Sequence, residues 1–245
     1  MENSVIITGG NKGIGLEIAE KFLKKNFIVV VGGRTKINLK NKNLFFIQCD
    51  LTKYSSHEKL AKVAMSKSNY LAGYINNIGI SEWRSIEKIN EKFLNHMIKI
   101  NLKSYFWGCK VAKKYMKKFG SIVNISSIAG KRGSKNNSVY CATKFGINGL
   151  TQSLAKEFGP KNIRVNAICP VLIKTSGLIR ALKKKESPAY KNVNFFLRKF
   201  KIDNVALNDF PTGSDVGELS VFLVSDLSRS ITGQCINLDS GVFPQ

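Results

Sequence analysis

The stretch TGGNKGIG, residues 8–15, decides the fold more than any other part of the sequence. A β-branched run over residues 4–10 leads into it, and residues 14–26 follow with apolar side chains at helical spacing. A glycine-rich turn between a buried strand and a helix suits a dinucleotide pyrophosphate, because glycine permits close backbone approach and the helix N-terminus attracts phosphate. The predicted nucleotide contacts here are Gly9, Gly10, Asn11, Lys12, Gly13, Ile14 and Gly15.

Strand and helix patterns alternate along the rest of the chain. Further strands are predicted at 27–33, 44–50, 70–79, 121–127, 163–170 and 234–241. Helices are predicted at 55–68 and 214–226, both with a serine start, at 87–119 with a break near Asn101, and at 139–159. This order predicts one α/β domain over residues 1–245, a doubly wound parallel sheet of the Rossmann type. Residues 174–212 interrupt the rhythm as a long segment, which is typical of a functional or disordered loop.

Length and cysteine usage limit the classes of protein that fit. A chain of 245 residues is long enough for one large α/β domain, and it contains no apolar run of membrane-spanning length. The start of the chain shows no signal-peptide pattern. Five scattered cysteines without a CxxC pair, and two isolated histidines, argue against a disulfide framework and a metal centre. We therefore expect no metal, no membrane association and a reducing, cytoplasmic location.

The formal net charge of +23 raises the question of a nucleic-acid partner. Only seven of the 39 basic residues are arginine, the residue favoured for phosphate and base contacts. The lysines are spread along the whole chain and are not gathered in one arm. A solvated basic surface is therefore favoured over nucleic-acid binding.

The stretch SVYCATKFG, residues 138–146, places Tyr140 one helical turn before Lys144. A cation beside a phenol stabilises the phenolate and lowers a pKa that starts near 10. The pair therefore fits a tyrosine that transfers a proton near neutral pH. An aromatic residue and a lysine that simply cover helix surface fit the same spacing, so the pair alone leaves both interpretations open.

The glycine spacing TGxxxGxG resembles the short-chain dehydrogenase/reductase family, and further motifs fall in register with it. Asn76 to Gly79 read NNIG where the family has NNAG, and Asn101 lies in INL. Ser127 stands 13 residues before Tyr140, the usual spacing of the family's serine and tyrosine, and Tyr140 and Lys144 match its YxxxK. The resemblance extends to TGQ at residues 232–234 and covers essentially the whole chain.

The resemblance implies a role for each matching residue. Tyr140 is expected to be the general acid or base, and Lys144 to hold the nicotinamide ribose and lower the tyrosine pKa. Ser127, preferred over Ser126 for its spacing, is expected to hold the substrate oxygen, and Asn101 to bind a water linked to Lys144. Asn101 also has a structural interpretation, as a helix-breaking asparagine bound to backbone. Further cofactor contacts are expected from Asp50, Leu51, Asn77, Gly79, Pro170, Ile173 and Thr175, with Tyr140 and Lys144.

The end of the second strand bears on the choice of nicotinamide cofactor. Family members that use NAD place an acid there for the ribose hydroxyls, whereas this chain has Gly33 followed by the cation Arg34. Lys12 is a second cation expected near the same site. NADP(H) is therefore predicted over NAD(H). One departure from the family pattern is Val171, which replaces a glycine and is expected to narrow the nicotinamide pocket.

Three functions remain open at this point. The first is an NADPH-dependent carbonyl reductase similar to 3-oxoacyl carrier-protein reductases. The second is a dehydrogenase of a sugar, cyclitol or other small metabolite, and the third is a nucleotide-binding protein without turnover. The substrate is expected to be a small carbonyl compound or alcohol, with an anionic or carrier-bound form as an option. By resemblance, we expect a homodimer or homotetramer.

Residues 174–212 are expected to act as a mobile lid or to lie in a subunit interface. As a lid, the segment would close an apolar roof over the site, formed by Leu178, Ile179, Leu182, Phe195, Phe196, Leu197 and Phe200. Its basic residues would attract an anionic substrate: Lys183, Lys184, Lys185, Lys191, Arg198, Lys199 and Lys201.

Overall fold

A computed structural model describes residues 3–117 and 119–244. Within them, seven strands β1 to β7 form one sheet: Asn3–Thr8, Ile28–Gly33, Leu44–Gln48, Tyr70–Asn76, Ser121–Ile125, Arg164–Pro170 and Cys235–Leu238. Eight α-helices α1 to α8 accompany them: Gly13–Lys24, Tyr54–Lys67, Glu91–Ile98, Ser104–Tyr115, Ser138–Phe158, Ser176–Leu182, Val193–Asn204 and Gly213–Val224. The predicted alternation of strand and helix is confirmed.

The strand order is β3-β2-β1-β4-β5-β6-β7, and each neighbouring pair is parallel. The order reverses between β1 and β4, so the loops at the carboxyl ends of these strands diverge and leave a crevice. Ligands of doubly wound sheets bind at such a switch point. The glycine turn follows β1 and the NNIG segment follows β4, so both line the crevice.

Apolar cores lie on both faces of the sheet. Along β1, Val5 and Ile7 pack on one face and Ile6 on the other, and all three side chains are fully buried. This two-sided burial explains why the strands are continuous apolar runs and not alternating ones. All five cysteines are free thiols.

Helix boundaries differ from prediction in three helices. The stretch predicted at 87–119 is shorter, since α3 begins at Glu91 and α4 ends at Tyr115, and two predicted serine starts are not found. No serine caps α2, because the helix starts at Tyr54 after Lys53, which makes no side-chain cap. The start of α8 is Gly213, preceded by Thr212, whose hydroxyl accepts a hydrogen bond from the Asp215 amide at 3.2 Å in a reciprocal capping box. The predicted break near Asn101 is confirmed as a π-helical turn, Lys99–Lys103, between α3 and α4.

Residues 174–212 are not an irregular loop. They contain α6 and α7, and their apolar faces form a separate cluster with Trp83, Phe210 and Val242. The sequence pattern missed α6 because it has only seven residues, and α7 because its twelve residues include a single buried one, Leu197. In the part of the chain that the structure describes, no helix combines the length and apolar character needed to cross a bilayer.

Candidate active site

The glycine turn is shaped so that other residues would not fit. Gly9 and Gly13 have φ angles of +67° and +53°, in the left-handed region that favours glycine. A Cβ atom on Gly15 would lie 2.4 Å from both the Gly9 carbonyl oxygen and the Asn77 amide nitrogen. Asn77 holds the turn in place by donating hydrogen bonds to the carbonyl oxygens of Thr8 and Gly9, at 3.0 and 3.2 Å. The result is a closely packed cradle at the N-terminus of α1, which fits a pyrophosphate.

The end of β2 explains the absence of an acidic residue there. A Cβ atom on Gly33 would lie 2.6 Å from the side-chain oxygen of Asn11. The Asn11 amide donates to both the carbonyl and the hydroxyl oxygen of Thr35, at 3.0 and 2.7 Å, so it is fixed in that place. An aspartate at position 33 would require Asn11 to move. Arg34 and Lys12 are both exposed beside this corner.

The other predicted cofactor residues lie around the same crevice, in different environments. Thr175 lies across the glycine turn, with its methyl carbon 3.5 Å from the Cβ position of Gly13. Asp50 is exposed and accepts hydrogen bonds from the amide and hydroxyl of Thr52 at 3.0 and 2.8 Å. The side chains of Leu51 and Ile173 are buried in the two cores, so contact with a ligand falls to their main chains. Pro170 ends β6 and is also buried.

Ser127 lies beside Tyr140, and Ser126 does not. The Ser127 hydroxyl accepts from the Ala129 amide at 3.1 Å, donates to the Pro170 carbonyl at 3.4 Å, and is close enough to the Tyr140 hydroxyl to oppose the rise of its pKa. The Ser126 hydroxyl is directed to the main chain of α5, where it donates to the Lys144 carbonyl at 3.3 Å.

Lys144 is an unusually buried amine, with 3% of its surface exposed. Its Nζ donates to the main-chain oxygen of Ile125 at 2.8 Å. The same nitrogen lies 5.7 Å from the ring centroid of Tyr140 and 5.4 Å from that of Tyr105. Burial lowers the pKa of Lys144 to about 7.

Lys144 was expected to lower the pKa of Tyr140. For the protein without a bound cofactor, that expectation is wrong. The ring of Tyr140 is partly exposed but its hydroxyl is surrounded by protein, and this burial raises the pKa to about 12. The hydrogen bond from Ser127 opposes that rise without reversing it. Desolvation dominates because the neighbouring amine is itself buried and loses part of its charge near neutral pH.

Asn101 binds backbone, as its structural interpretation proposed. Its side-chain oxygen accepts from the Ile80 amide and its nitrogen donates to the Ile80 carbonyl, both at 2.8 Å. The residue is fully buried in the π-helical turn. Gly79 packs between it and Lys144: a Cβ there would lie 3.6 Å from the Asn101 oxygen and 3.8 Å from the Lys144 nitrogen. The predicted residues Gly79, Asn101 and Lys144 are therefore brought together.

Sequence reasoning missed Tyr105, which is fully buried under the site on α4. Its hydroxyl donates to the Ile125 carbonyl oxygen at 2.8 Å. The one signal in the sequence was its position four residues after Asn101, one helical turn further along. A buried aromatic residue on a helix usually fills a core, so this spacing did not indicate a functional role for Tyr105.

The side chains over the site differ in part from expectation. Of the residues predicted to form an apolar roof, Leu178, Ile179, Leu182, Phe196, Leu197 and Phe200 belong to the separate cluster. Phe195 does not, because it is 64% exposed. Val171 packs into this cluster as well, so its side chain fills the roof. Lys184, Lys199 and Lys201, predicted to attract an anionic substrate, pair with Glu82, Asp203 and Asp209.

The fold and the crevice together are those of a dinucleotide-binding protein built on a doubly wound sheet. A sequence profile described as short chain dehydrogenase matches residues 3–186. The chain belongs to this family and is a short-chain dehydrogenase/reductase enzyme.

Two kinds of name occur among the similar proteins described below. The chain is 30% identical to a 3-oxoacyl-[acyl-carrier-protein] reductase of Chlamydia trachomatis, over 99% of this chain and 98% of that protein. It is equally 30% identical to a probable galactose dehydrogenase of Rhizobium meliloti, over 99% and 95% of the two chains. The solved structure of Thermoplasma acidophilum aldohexose dehydrogenase matches with a TM-score of 0.89 at 27% identity, covering 100% of this chain and 98% of that one.

Proposed function

We propose that this enzyme uses NADP(H) to interconvert a carbonyl group and a secondary alcohol, with Tyr140 as the general acid or base. The observation that carries the proposal is the placement of the Ser127 hydroxyl beside the Tyr140 hydroxyl, whose pKa it opposes raising, in the crevice next to the glycine turn. An oxygen atom placed against both hydroxyls would receive a proton from one and a hydrogen bond from the other. A bound nicotinamide would supply or accept the hydride.

The protonation of Tyr140 favours the reductive direction at neutral pH. With a pKa raised to about 12 by burial, the phenol carries its proton and is ready to donate it to an alkoxide. Oxidation of an alcohol needs the phenolate, so its rate should rise with pH. The hydrogen bond from Ser127 stabilises that phenolate.

Lys144 and Asn101 have supporting roles in this proposal. The Lys144 amine is assigned to the ribose hydroxyls of the cofactor, since an ammonium has three N–H donors and the Ile125 carbonyl takes one of them. Both polar atoms of the Asn101 side chain are engaged by Ile80. We therefore assign its main-chain carbonyl to the water that would connect Lys144 with solvent.

The preference for NADP(H) rests on the corner between β2 and α1. Asn11 occupies the space that an acid at position 33 would need, and Arg34 and Lys12 offer two exposed cations for a 2′-phosphate. The glycine cradle then holds the pyrophosphate. The residues that would contact the cofactor are Gly9, Gly10, Asn11, Lys12, Gly13, Ile14, Gly15, Arg34, Asp50, Leu51, Asn77, Gly79, Tyr140, Lys144, Pro170, Ile173 and Thr175.

Two substrate classes are supported by different observations. A 3-oxoacyl thioester is the first candidate, since several relatives, from more than one genus, are named 3-oxoacyl-[acyl-carrier-protein] reductase. A sugar or similar polyol is the second, since the aldohexose dehydrogenase shares the fold over the full length of this chain.

Residues 174–212, from here on the cover, are proposed to close over the substrate. Both halves of the cover are tied to neighbours: Glu186 pairs with Lys88, and the amides of Ala206 and Leu207 donate to the Ser240 carbonyl at 2.9 and 3.1 Å. The cover leaves the carboxyl end of β6, which is the side of the sheet where the crevice opens.

Assembly into a homodimer or homotetramer is part of the same proposal. Phe106 on α4 and Phe145 on α5 expose 48% and 47% of their surfaces. The region between them is close-packed, with Leu102 against Gly146. Exposed aromatic side chains on adjoining helices favour burial against a second copy. Light scattering of the wild type and of Phe106→Lys tests this, with a stable wild-type monomer as the contradicting result.

A substrate screen tests the proposed function. Reduction of an acetoacetyl thioester and of other ketones, and oxidation of aldohexoses, would be followed by cofactor absorbance with NADPH or NADP⁺ and with NADH or NAD⁺. The expected result is turnover of a thioester with NADPH faster than with NADH. Turnover of aldohexoses alone would select the second candidate. Tight NADPH binding without turnover of any compound would contradict catalysis.

A further inference from the structure

Tyr105 is a buried phenol that the proposed chemistry does not use. It stands on α4 one turn after Asn101, and its side chain is fully enclosed. Its hydroxyl donates to the same Ile125 carbonyl oxygen that accepts from Lys144, with both distances at 2.8 Å. Its ring centroid is 5.4 Å from the lysine nitrogen, closer than that of Tyr140 at 5.7 Å.

We propose that Tyr105 is a positioning residue for Lys144: its ring lies against the ammonium, and its hydroxyl fixes the Ile125 carbonyl to which that ammonium donates. The role assigned to Lys144 in catalysis rests on the proposed function. The contacts of Tyr105 with Lys144 and with the Ile125 carbonyl do not depend on that proposal, because they lie within this chain.

The surroundings of Lys144 show why its contacts with the Tyr105 ring and the Ile125 carbonyl matter. The titratable groups that face it are Tyr140 on its own helix, Tyr105 on α4 with Cys109 behind it, and Cys169 on β6. None of these four is a carboxylate. A buried ammonium without a counter-ion depends on carbonyl oxygens and aromatic ring faces for its stabilisation.

The size of the effect follows from the cation–π attraction. In desolvated surroundings, such a contact corresponds to a shift of roughly half to one and a half pH units in the titration of the amine. Burial lowers the pKa of Lys144 to about 7, so a shift of this size decides how much of the amine is charged near neutral pH. Burial raises the pKa of Tyr105 well above its ordinary value, so its hydroxyl stays a donor.

The experiment is an NMR titration of Lys144 in protein labelled with ¹³C-lysine, with the signal assigned by its loss in Lys144→Met. Tyr105→Leu removes both the ring face and the hydroxyl, whereas Tyr105→Phe removes only the hydroxyl. Tyr74→Leu is the matched control, because Tyr74 is also fully buried but its hydroxyl pairs with His57 at 2.7 Å. In case Tyr105→Leu does not fold, Tyr105→pentafluorophenylalanine keeps the shape and reverses the charge distribution of the ring.

We expect Tyr105→Leu, or the fluorinated variant, to lower the midpoint of the Lys144 titration by roughly half to one and a half pH units. Tyr105→Phe should leave it within about 0.3 pH units, since the ring face remains. The alkaline limb of kcat/KM should move in the same direction as the titration. An unchanged midpoint in the leucine and fluorinated variants, or an equal change in Tyr74→Leu, would overturn the proposal. A wild type without turnover would count against the proposed function and leave the titration result valid.

Discussion

The floor of the candidate site and the segment proposed as its cover are held in place by different contacts. The floor consists of Asn101, Tyr105, Tyr140 and Lys144, and three of them donate to main-chain oxygens: Asn101, Tyr105 and Lys144. The cover, residues 174–212, is attached in part by ion pairs at the surface, such as Lys88 with Glu186 and Lys184 with Glu82. The lysines of these two pairs are 61% and 51% exposed.

The difference has an energetic consequence. An exposed ion pair contributes about 0 to 1 kcal/mol and weakens with salt. Removing one partner of a buried hydrogen bond costs about 1 to 3 kcal/mol, because the other partner is left unsatisfied. The ion pairs therefore add little to the attachment of the cover, which rests mainly on its apolar cluster with Trp83 and Val242, whereas the floor is fixed by buried hydrogen bonds.

The largest expected effect comes from removing the Tyr140 hydroxyl, which is the proposed proton donor. Tyr140→Phe should lower kcat by about 10² to 10⁴, because general acid catalysis is lost while the ring still packs. NADPH affinity, measured by fluorescence titration, should stay nearly unchanged. Tyr190→Phe removes an exposed hydroxyl from the cover and serves as control, with activity close to wild type. If Tyr140→Phe kept more than about a tenth of wild-type kcat, the assignment of Tyr140 would fail.

Acid should lower the free energy of unfolding through His57, a buried residue of α2. His57 is fully buried between the Tyr74 hydroxyl and the Leu51 carbonyl, and burial lowers its pKa from 6.5 to about 4. Its contribution to stability is therefore complete above about pH 6.5 and is lost as the pH falls toward 4, because the unfolded chain takes up the proton first. This difference corresponds to about 3 kcal/mol.

Urea unfolding of His57→Gln across this pH range measures the contribution. The variant should be less stable than wild type at pH 7, and the gap between the two should shrink by up to about 3 kcal/mol on acidification to pH 4. A gap that stays constant with pH would show that His57 does not titrate in this way.

A smaller effect is expected at Arg34, in the corner between β2 and α1 where the nucleotide is proposed to bind. Arg34→Ala should weaken NADPH binding by roughly ten- to a hundredfold and leave NADH binding nearly unchanged, since only NADPH carries the 2′-phosphate. Arg198→Ala, which removes an exposed arginine from the cover, is the control for loss of charge. Equal affinity of the wild type for the two cofactors would refute the cofactor preference.

The smallest effect should appear in the cover itself. Glu82→Gln with Glu186→Gln removes the acids that pair with Lys184 and Lys88, and should speed tryptic cleavage of residues 183–191 by about fivefold at most. Glu218→Gln, which breaks an exposed pair with Lys21 on the far side of α1, is the matched control. NADPH with substrate should protect the cover in every variant. Cleavage that ligands do not slow, or a cover that resists trypsin throughout, would contradict a lid.

The fold was predictable from the sequence because its signals are local. Two-sided burial of β1 and β2 makes them continuous apolar runs, and Gly9, Gly13 and Gly15 mark the turn between strand and helix. The order of these signals fixed the parallel, doubly wound sheet. Spacing along α5 likewise placed Tyr140 and Lys144 on one face, and the 13-residue interval selected Ser127 over Ser126.

The environment of those residues was decided by the tertiary structure. Protonation of Tyr140 and Lys144 depends on desolvation, which is the sum of atoms brought in from β5, β6 and α4, and no spacing along α5 reports it. Tyr105 reads as an ordinary core aromatic until the π-helical turn and β5 bring its hydroxyl and Lys144 to one carbonyl oxygen. The sequence determined which chemical groups this protein has, through patterns of neighbouring residues. Only the fold decided which of them share a buried space, because burial and electrostatic coupling arise from contacts between residues far apart in the chain.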